Sequence, residues 1–413
     1  MKALQFMGPT GPEPWPTPIG PDEPPLMANL ATTPMALVDL PDPEVLGADW
    51  VVVRNRLTGI CGSDIKQVLM DFDGAADNMM TAFISFPQVL GHEVVGTLDS
   101  VGSAVDGLEV GQRVVLYPNI GCRARGIAHL CVACAAGDFS LCENWWEGDL
   151  EPGIHSGNSV DATGGFADLV PAHRSMVHPV PDGIPDEVAV LADPWSVSFH
   201  AITRNPPRRG SRVVVYGAGA LGTTATAILT QLYECEVAVV ARWPVQAELA
   251  AGRGAHVVTG GPDDALAVVE QLADWSGATL RVPWEGLPVA YPGTIDTVYD
   301  TVGSPLSVEV SMRLLATRGT LVQLGVGAPG RFEWTPWYFK ELRLVGSNAF
   351  GRETFEGATR HAYDHFFDLL AERRIEVDGM LTHTWRLSEW REAFTAIVHG
   401  RDTGTLKVAF DFR

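Results

Sequence analysis

The sequence predicts an α/β protein in two parts, a β-rich barrel or sandwich followed by a doubly wound parallel sheet. Three observations carry this. A chain of 413 residues with 46% hydrophobic content can bury more than one core. From Asp49 to Asp193 the chain runs in short β-rich segments broken by glycine, such as WVVVRNRLTGICG, HEVVGTLDSVGSAV and GQRVVLYPN. After Pro194 buried strands alternate with helical stretches.

Taken in order, the first 48 residues are rich in proline and turn formers (GPTGPEPWPTPIGPDEPP) and predict irregular covering loops around a few strands. The β-rich part follows and ends at Asp193. RVVVYGAGALG, ATAILTQLYE, CEVAVVA and QAELAAGRGAHVV then give a buried strand, a helix and another strand, and the alternation of strands and helices continues to about residue 349. Residues 274–293 interrupt it with tryptophan, proline and glycine and read as an inserted surface loop. The tail from Phe350 returns to mixed helix and strand, and TGTLKVAFDFR could complete the first part. The predicted domains are therefore 1–193 with a C-terminal return over 350–413, and 194–349. No internal repeat is visible.

Composition removes several function classes. A formal charge of −21 would repel a nucleic-acid backbone and an anionic membrane surface. No run approaches the roughly 20 apolar residues of a membrane-crossing helix, and MKALQFMGPTGPEPW lacks the apolar segment of a signal peptide. A cytoplasmic protein is expected. Four of the six cysteines fall between residues 122 and 142. A disulfide framework, a redox pair and a metal site all concentrate thiols, but in a reducing compartment metal or chemistry is the commoner use.

GAGALG directly follows RVVVY and opens a small-residue helix, the context that gives a G-x-G-x-x-G its meaning. Gly217 permits the tight turn, Gly219 lets backbone approach a pyrophosphate, and Gly222 lets helix and strand pack. Ala220 and Leu221 complete the cofactor-binding turn, at a helix N-terminus suited to phosphate. GICGSD and GHEVVG supply Cys61 and His92, each flanked by glycine as tight turns at strand ends require. Either alone is unremarkable chemically. Together they are ordinary zinc ligands, and a catalytic zinc takes three protein ligands with one position open.

GICGSD, GHEVVG, the cysteine cluster, GGFADLV and GAGALG occur in the order and approximate spacing of the zinc-dependent medium-chain alcohol dehydrogenases, which the sequence resembles from about Asp49 to its C-terminus. The resemblance implies a GroES-like β-barrel catalytic domain plus a Rossmann domain, with the active site in the cleft between them. It implies NAD(P)-linked oxidation of an alcohol, two zinc ions per chain, and a homodimer or homotetramer. The structural zinc of the family is held by C-x2-C-x2-C-x7-C. Cys131, Cys134 and Cys142 keep the last three positions, whereas eight residues separate Cys122 from Cys131, an extension of the first loop that costs little closure entropy. Cys235 reads as core.

For the catalytic zinc the resemblance implies Cys61, His92 and a third ligand at the junction, where LADPWSVSFHA offers Asp193 in a D-x6-H arrangement with His200. An aspartate capping the following helix is the competing reading. Glu93 matches a family glutamate that can approach the metal. Asp64 matches a carboxylate that orients His92. Ser63 resembles the hydroxyl that takes the proton from the substrate, and Lys66 stands where many relatives carry a relay histidine. Zinc would acidify the alcohol while its carbon gives a hydride to the nicotinamide.

After CEVAVVA the usual acid for the ribose of NAD is absent, and Arg242 stands where a 2′-phosphate could be held. This favours NADP, with Arg253 as the one helper. An arginine stacking on the adenine of NAD is the alternative. The long segment between Cys61 and His92, the N-terminal extension and Trp195 are expected to shape a pocket for a secondary, ring-bearing or polyol alcohol. A zinc-stapled binding or regulatory protein without turnover, and a quinone or enoyl reductase, are the competing functions.

Overall fold

The structure is a computed structural model that describes residues 1–7, 15–16, 18–71, 79–261, 264–328 and 330–413. Part of the proline-rich stretch (8–14 and 17) and the middle of the long segment after Cys61 (72–78), which was expected to shape a pocket, lie outside the described residues. Chain contacts divide the molecule into two compact units, Met1–Asp193 with Leu381–Arg413, and Pro194–Met380. No helix among the described residues is long and apolar enough to cross a membrane.

The first unit is built around strand Trp50–Ile60, whose valine-rich sequence suits a pleated surface buried on both sides. It pairs antiparallel with Glu93–Val101, Leu169–His173 and the chain's last strand, Lys407–Asp411. Arg113–Leu116 and Val177–Pro179 extend the sheet on one side and Leu381–Trp385 on the other. Val51, Val53, Val94, Leu98, Val114, Leu116 and Val170 form its core. The N-terminal segment is more regular than expected. Lys2–Phe6 pairs with Met35–Asp39 and with Gln88–Val89, and an eight-residue helix, Pro25–Thr32, buries Met27 and Leu30.

The second unit contains the expected parallel sheet. Its six strands, Arg212–Tyr216, Glu236–Ala241, His256–Thr259, Ile295–Asp300, Leu315–Gln323 and Arg343–Gly346, lie in the spatial order third, second, first, fourth, fifth, sixth. All pairings are parallel. The order reverses between the first and fourth strands, where this architecture places its ligand. Helix Ala220–Leu232 buries threonines with their hydroxyls paired, Thr224 and Thr226 donating to the carbonyls of Ala220 and Gly222.

Two boundaries differ from the sequence reading. The return to the first unit begins at Leu381, not Phe350. Residues 350–380 stay with the second unit because Glu353 is completely buried, accepting hydrogen bonds from His200 Nδ1 at 2.6 Å and Arg204 Nε at 3.1 Å. Trp195 belongs to the same packing, stacked on Phe199 at 4.5 Å and against Phe366, so it fills core in place of shaping a pocket. The insertion at 274–293 is shorter than read. Helix Ala265–Ser276 runs through its first residues, and the remainder carries a small hairpin, Leu280–Arg281 with Val289–Ala290, whose tip exposes Val282 and Trp284.

Candidate active site and metal centres

Cys61 follows the strand Trp50–Ile60 and is the N-cap residue of helix Gly62–Val68, while His92 directly precedes the neighbouring strand, which Glu93 begins. Antiparallel pairing of Gly59 with Glu93 brings these segments together. A Cβ at residue 59 would overlap the Glu93 carboxylate, so glycine is required there for the acid to lie inward. One donor atom from each of Cys61, His92 and Glu93 falls within 4.8 Å of the others.

Asp64 ties the two loops. One carboxylate oxygen accepts the Cys61 backbone N–H at 2.9 Å, and the other accepts the Gly91 N–H at 3.4 Å and lies 3.6 Å from His92 Nδ1. The acid lies where it can orient the imidazole. Burial raises the Asp64 pKa above the usual carboxylate range, against the pull of His92 and the Cys61 N–H. Burial also opposes charge on His92, but Asp64, Cys61 and Asp193 outweigh it and raise that pKa well above the ordinary value. The surroundings thus favour positive charge at this point.

Two residues that the sequence reading missed complete the centre. Lys407, from the last strand, is buried, forms an ion pair with Glu93 and donates to the Ile60 carbonyl at 2.9 Å. Burial would lower its pKa, but Glu93, Cys61 and Asp193 raise it. His155 lies with its ring centroid 4.6 Å from that of His92. Burial and repulsion by His92 push its pKa down to about 3. GIHSGN offered no spacing signal for this histidine. For Lys407, the lone lysine in a strand-like tail was the only hint.

Asp193 is buried and its charge reaches His92 and Lys407, but it is not among the donors of the tight cluster, where Glu93 takes the third place. It is the second residue of helix Ala192–Arg204, an acid in that helix's first turn. Ser63 is exposed in the first turn after Cys61, and Lys66 lies in the same helix. The donor set fits zinc. Thiol, imidazole and carboxylate are its ordinary ligands, and the acidic groups Asp64, Glu93 and Asp193 with the Cys61 thiol gather around one buried ammonium, Lys407.

Cys122, Cys131, Cys134 and Cys142 bring their sulfurs within 4.8 Å of one another, and all are free thiols. Cys122 and Cys142 are separated by 3.7 Å, far beyond a disulfide bond. N–H groups point at the sulfurs: Cys131 N and Asn144 Nδ2 at Cys122, Cys134 N and Glu143 N at Cys131, and Asn144 N at Cys142. Such donors stabilise thiolates. The thiols cannot all ionise unaided. Hydrogen bonding from Cys134 pushes Cys142 down to about 5, while Cys134 itself is pushed up. A divalent cation would remove that conflict, so this set also fits zinc.

The extended loop before Cys131 is anchored by Arg125, which is completely buried and donates to the carbonyls of Glu147, Leu150 and Gly153. Cys235 is half-buried, its thiol pushed up to about 11 by burial.

In the second unit Gly217 has φ +92° and Gly219 caps helix Ala220–Leu232, so Ala220 and Leu221 open the helix. A Cβ on Gly222 would overlap the Gly217 carbonyl. The turn and helix are thereby packed as a phosphate-binding turn requires. Arg242 follows its strand directly, is exposed, and lies with its guanidinium 5.9 Å from the centre of the Trp243 ring. Arg253 is committed elsewhere, donating to the carbonyls of Leu249 and Asp378, which leaves Arg242 without the expected helper.

Comparison with known proteins adds to this geometry. The profile for the alcohol dehydrogenase GroES-like domain matches residues 47–182, and that for the zinc-binding dehydrogenase matches 220–363. A sorbitol dehydrogenase of Halalkalibacterium halodurans is 27% identical over 387 residues, covering 91% of this chain and 96% of its own. An alcohol dehydrogenase of Escherichia coli solved with NADH aligns with a TM-score of 0.73 at 20% identity, covering 100% of this chain and 99% of its own. A zinc-binding dehydrogenase of Sinorhizobium meliloti solved with NADP aligns with a TM-score of 0.68 at 25% identity, covering 99% and 98%.

Proposed function

We propose, for a chain that belongs to the zinc-dependent medium-chain alcohol dehydrogenase family and is an alcohol oxidoreductase, that it oxidises a secondary or polyhydroxy alcohol with NADP at a centre made by Cys61, His92 and Glu93. The carrying observation is the tight grouping of those three donors in a chain that also groups four cysteines. Zinc at the first centre would supply Lewis acidity toward the alcohol oxygen. Asp64 orients the His92 ring, Lys407 holds the Glu93 carboxylate, and Asp193 adds negative charge. Ser63 passes the substrate proton outward. The Gly217–Gly222 turn receives the pyrophosphate, and Arg242 receives the 2′-phosphate. The four cysteines hold a second, structural zinc. The sorbitol dehydrogenase relative supports a polyol among the candidate alcohols.

Metal analysis combined with alcohol-dependent reduction of NADP and NAD tests this. The expected result is two zinc ions per chain and a higher kcat/KM with NADP that falls on Arg242→Ala. A fully loaded chain that moved no hydride from any secondary alcohol or polyol would be a zinc-stapled binding protein. A preference for NAD left intact in Arg242→Ala would remove the phosphate role of Arg242.

A further inference from the structure

His155 stands beside the donor cluster without belonging to it. Its Nδ1 lies 2.7 Å from the Ser156 carbonyl oxygen. A carbonyl only accepts, so Nδ1 carries the hydrogen and Nε2 presents a lone pair. Among the described residues no protein group hydrogen-bonds Nε2. The backbone here is held firmly. The buried Asn158 accepts the N–H groups of Ile154 and His155 at 2.9 and 3.0 Å, and residue 155 forms a bridge with Asn119. An acceptor is thus fixed one ring away from His92, with no hydrogen-bond partner among the described residues.

We propose that His155 is a positioning residue for the substrate, its Nε2 accepting a hydrogen bond from a hydroxyl or amine on the carbon next to the one oxidised. The proposal rests on the dehydrogenase reading above and names the chemistry that the site selects. An acceptor nitrogen rewards a donor and rejects a group of similar size that has none, because a polar atom left unpaired in a closed site is costly. A vicinal diol or amino alcohol satisfies it. A simple monoalcohol leaves it bare, and an ether places a second acceptor against it.

The test uses the zinc-loaded chain with 2,3-butanediol, 3-methoxy-2-butanol and 2-butanol. The wild type is expected to favour the diol, and His155→Phe to lower the diol-to-ether ratio of kcat/KM by roughly tenfold, with zinc content kept. His155→Gln, whose amide oxygen is again an acceptor, should restore part of the ratio. If the Phe variant loses zinc, the Gln variant and calorimetric binding of the diol and 2-butanol to it decide the matter. An unchanged ratio, or an equal loss on all three alcohols, overturns the proposal, the second outcome meaning that His155 only supports His92. A loaded wild type that oxidises none of them fails at the earlier step, before any variant is made, and takes this proposal with it.

Discussion

The two donor clusters of the first unit are built in opposite ways. The four cysteines come from one stretch of 21 positions, from 122 to 142, and the N–H groups aimed at their sulfurs come from the same stretch and the two residues after it. Every donor is a thiol, and four donors fill a tetrahedral ion. The Cys61–His92–Glu93 cluster is assembled from distant segments, with Lys407 reaching it from the far end of the chain. Its donors differ in kind, each is tied to a further charged group, and a histidine faces it from outside the set. A local, uniform cluster stabilises a loop. A dispersed, mixed one with three donors leaves room for a reacting molecule.

The largest expected effect breaks each cluster in turn. Cys61→Ala should lower kcat/KM by at least about 10³-fold, since losing Lewis acidity removes several kcal/mol of transition-state stabilisation, while Tm changes little. Cys134→Ser should do the reverse. It removes a ligand whose binding energy is folding energy, and a loss of several kcal/mol lowers Tm by roughly 10 °C in a domain of this size, with activity per folded molecule largely kept. Thermal melts and assays on both variants check the contrast. If Cys134→Ser were as inactive as Cys61→Ala at a temperature where both stay folded, the cysteine lobe would belong to the chemistry.

The same contrast explains what could be read in advance. C-x2-C-x7-C is legible because its contacts are local, and so is GAGALG, whose strand and helix are adjacent in the chain. The six-stranded parallel sheet was legible for the same reason, each element carrying its own periodicity. Arg125 was not. Its role depends on carbonyls of residues 147 to 153 meeting a guanidinium from a loop that the family pattern lacks. The boundary at 381 was hidden because Glu353 and His200 stand 153 positions apart. Cys61 and His92 stood out in the sequence by their glycine turns, whereas the approach of the Glu93 carboxylate to them depends on Gly59 opposite it and Lys407 beside it.

A smaller effect is expected at Asp64, which touches the dispersed cluster only through its ligands. Asp64→Asn keeps the size of the side chain and removes the charge that orients His92. Metal affinity or turnover should fall about 10- to 100-fold, the usual consequence of losing the partner of a liganding histidine. Competition with a chelator measures it. A wild-type affinity and rate would leave Asp64 only the role of accepting the Cys61 N–H at the start of helix Gly62–Val68.

The smallest effect is expected at Asp193, and it is read against its fellow carboxylate Glu93. Glu93 is a donor of the cluster, and Asp193 acts on His92 and Lys407 through its charge. Glu93→Gln should therefore cost metal affinity on the order of 100-fold, because an amide is a poor zinc ligand and Lys407 is left buried without its partner. Asp193→Asn should cost roughly tenfold, since it withdraws a neighbouring charge and leaves the three donors in place. Chelator competition on the two variants, read beside Cys61→Ala, orders the contributions. If Asp193→Asn lost more metal than Glu93→Gln, the ligand set would be Cys61, His92 and Asp193, and Glu93 would serve chiefly as the counter-charge that keeps Lys407 buried.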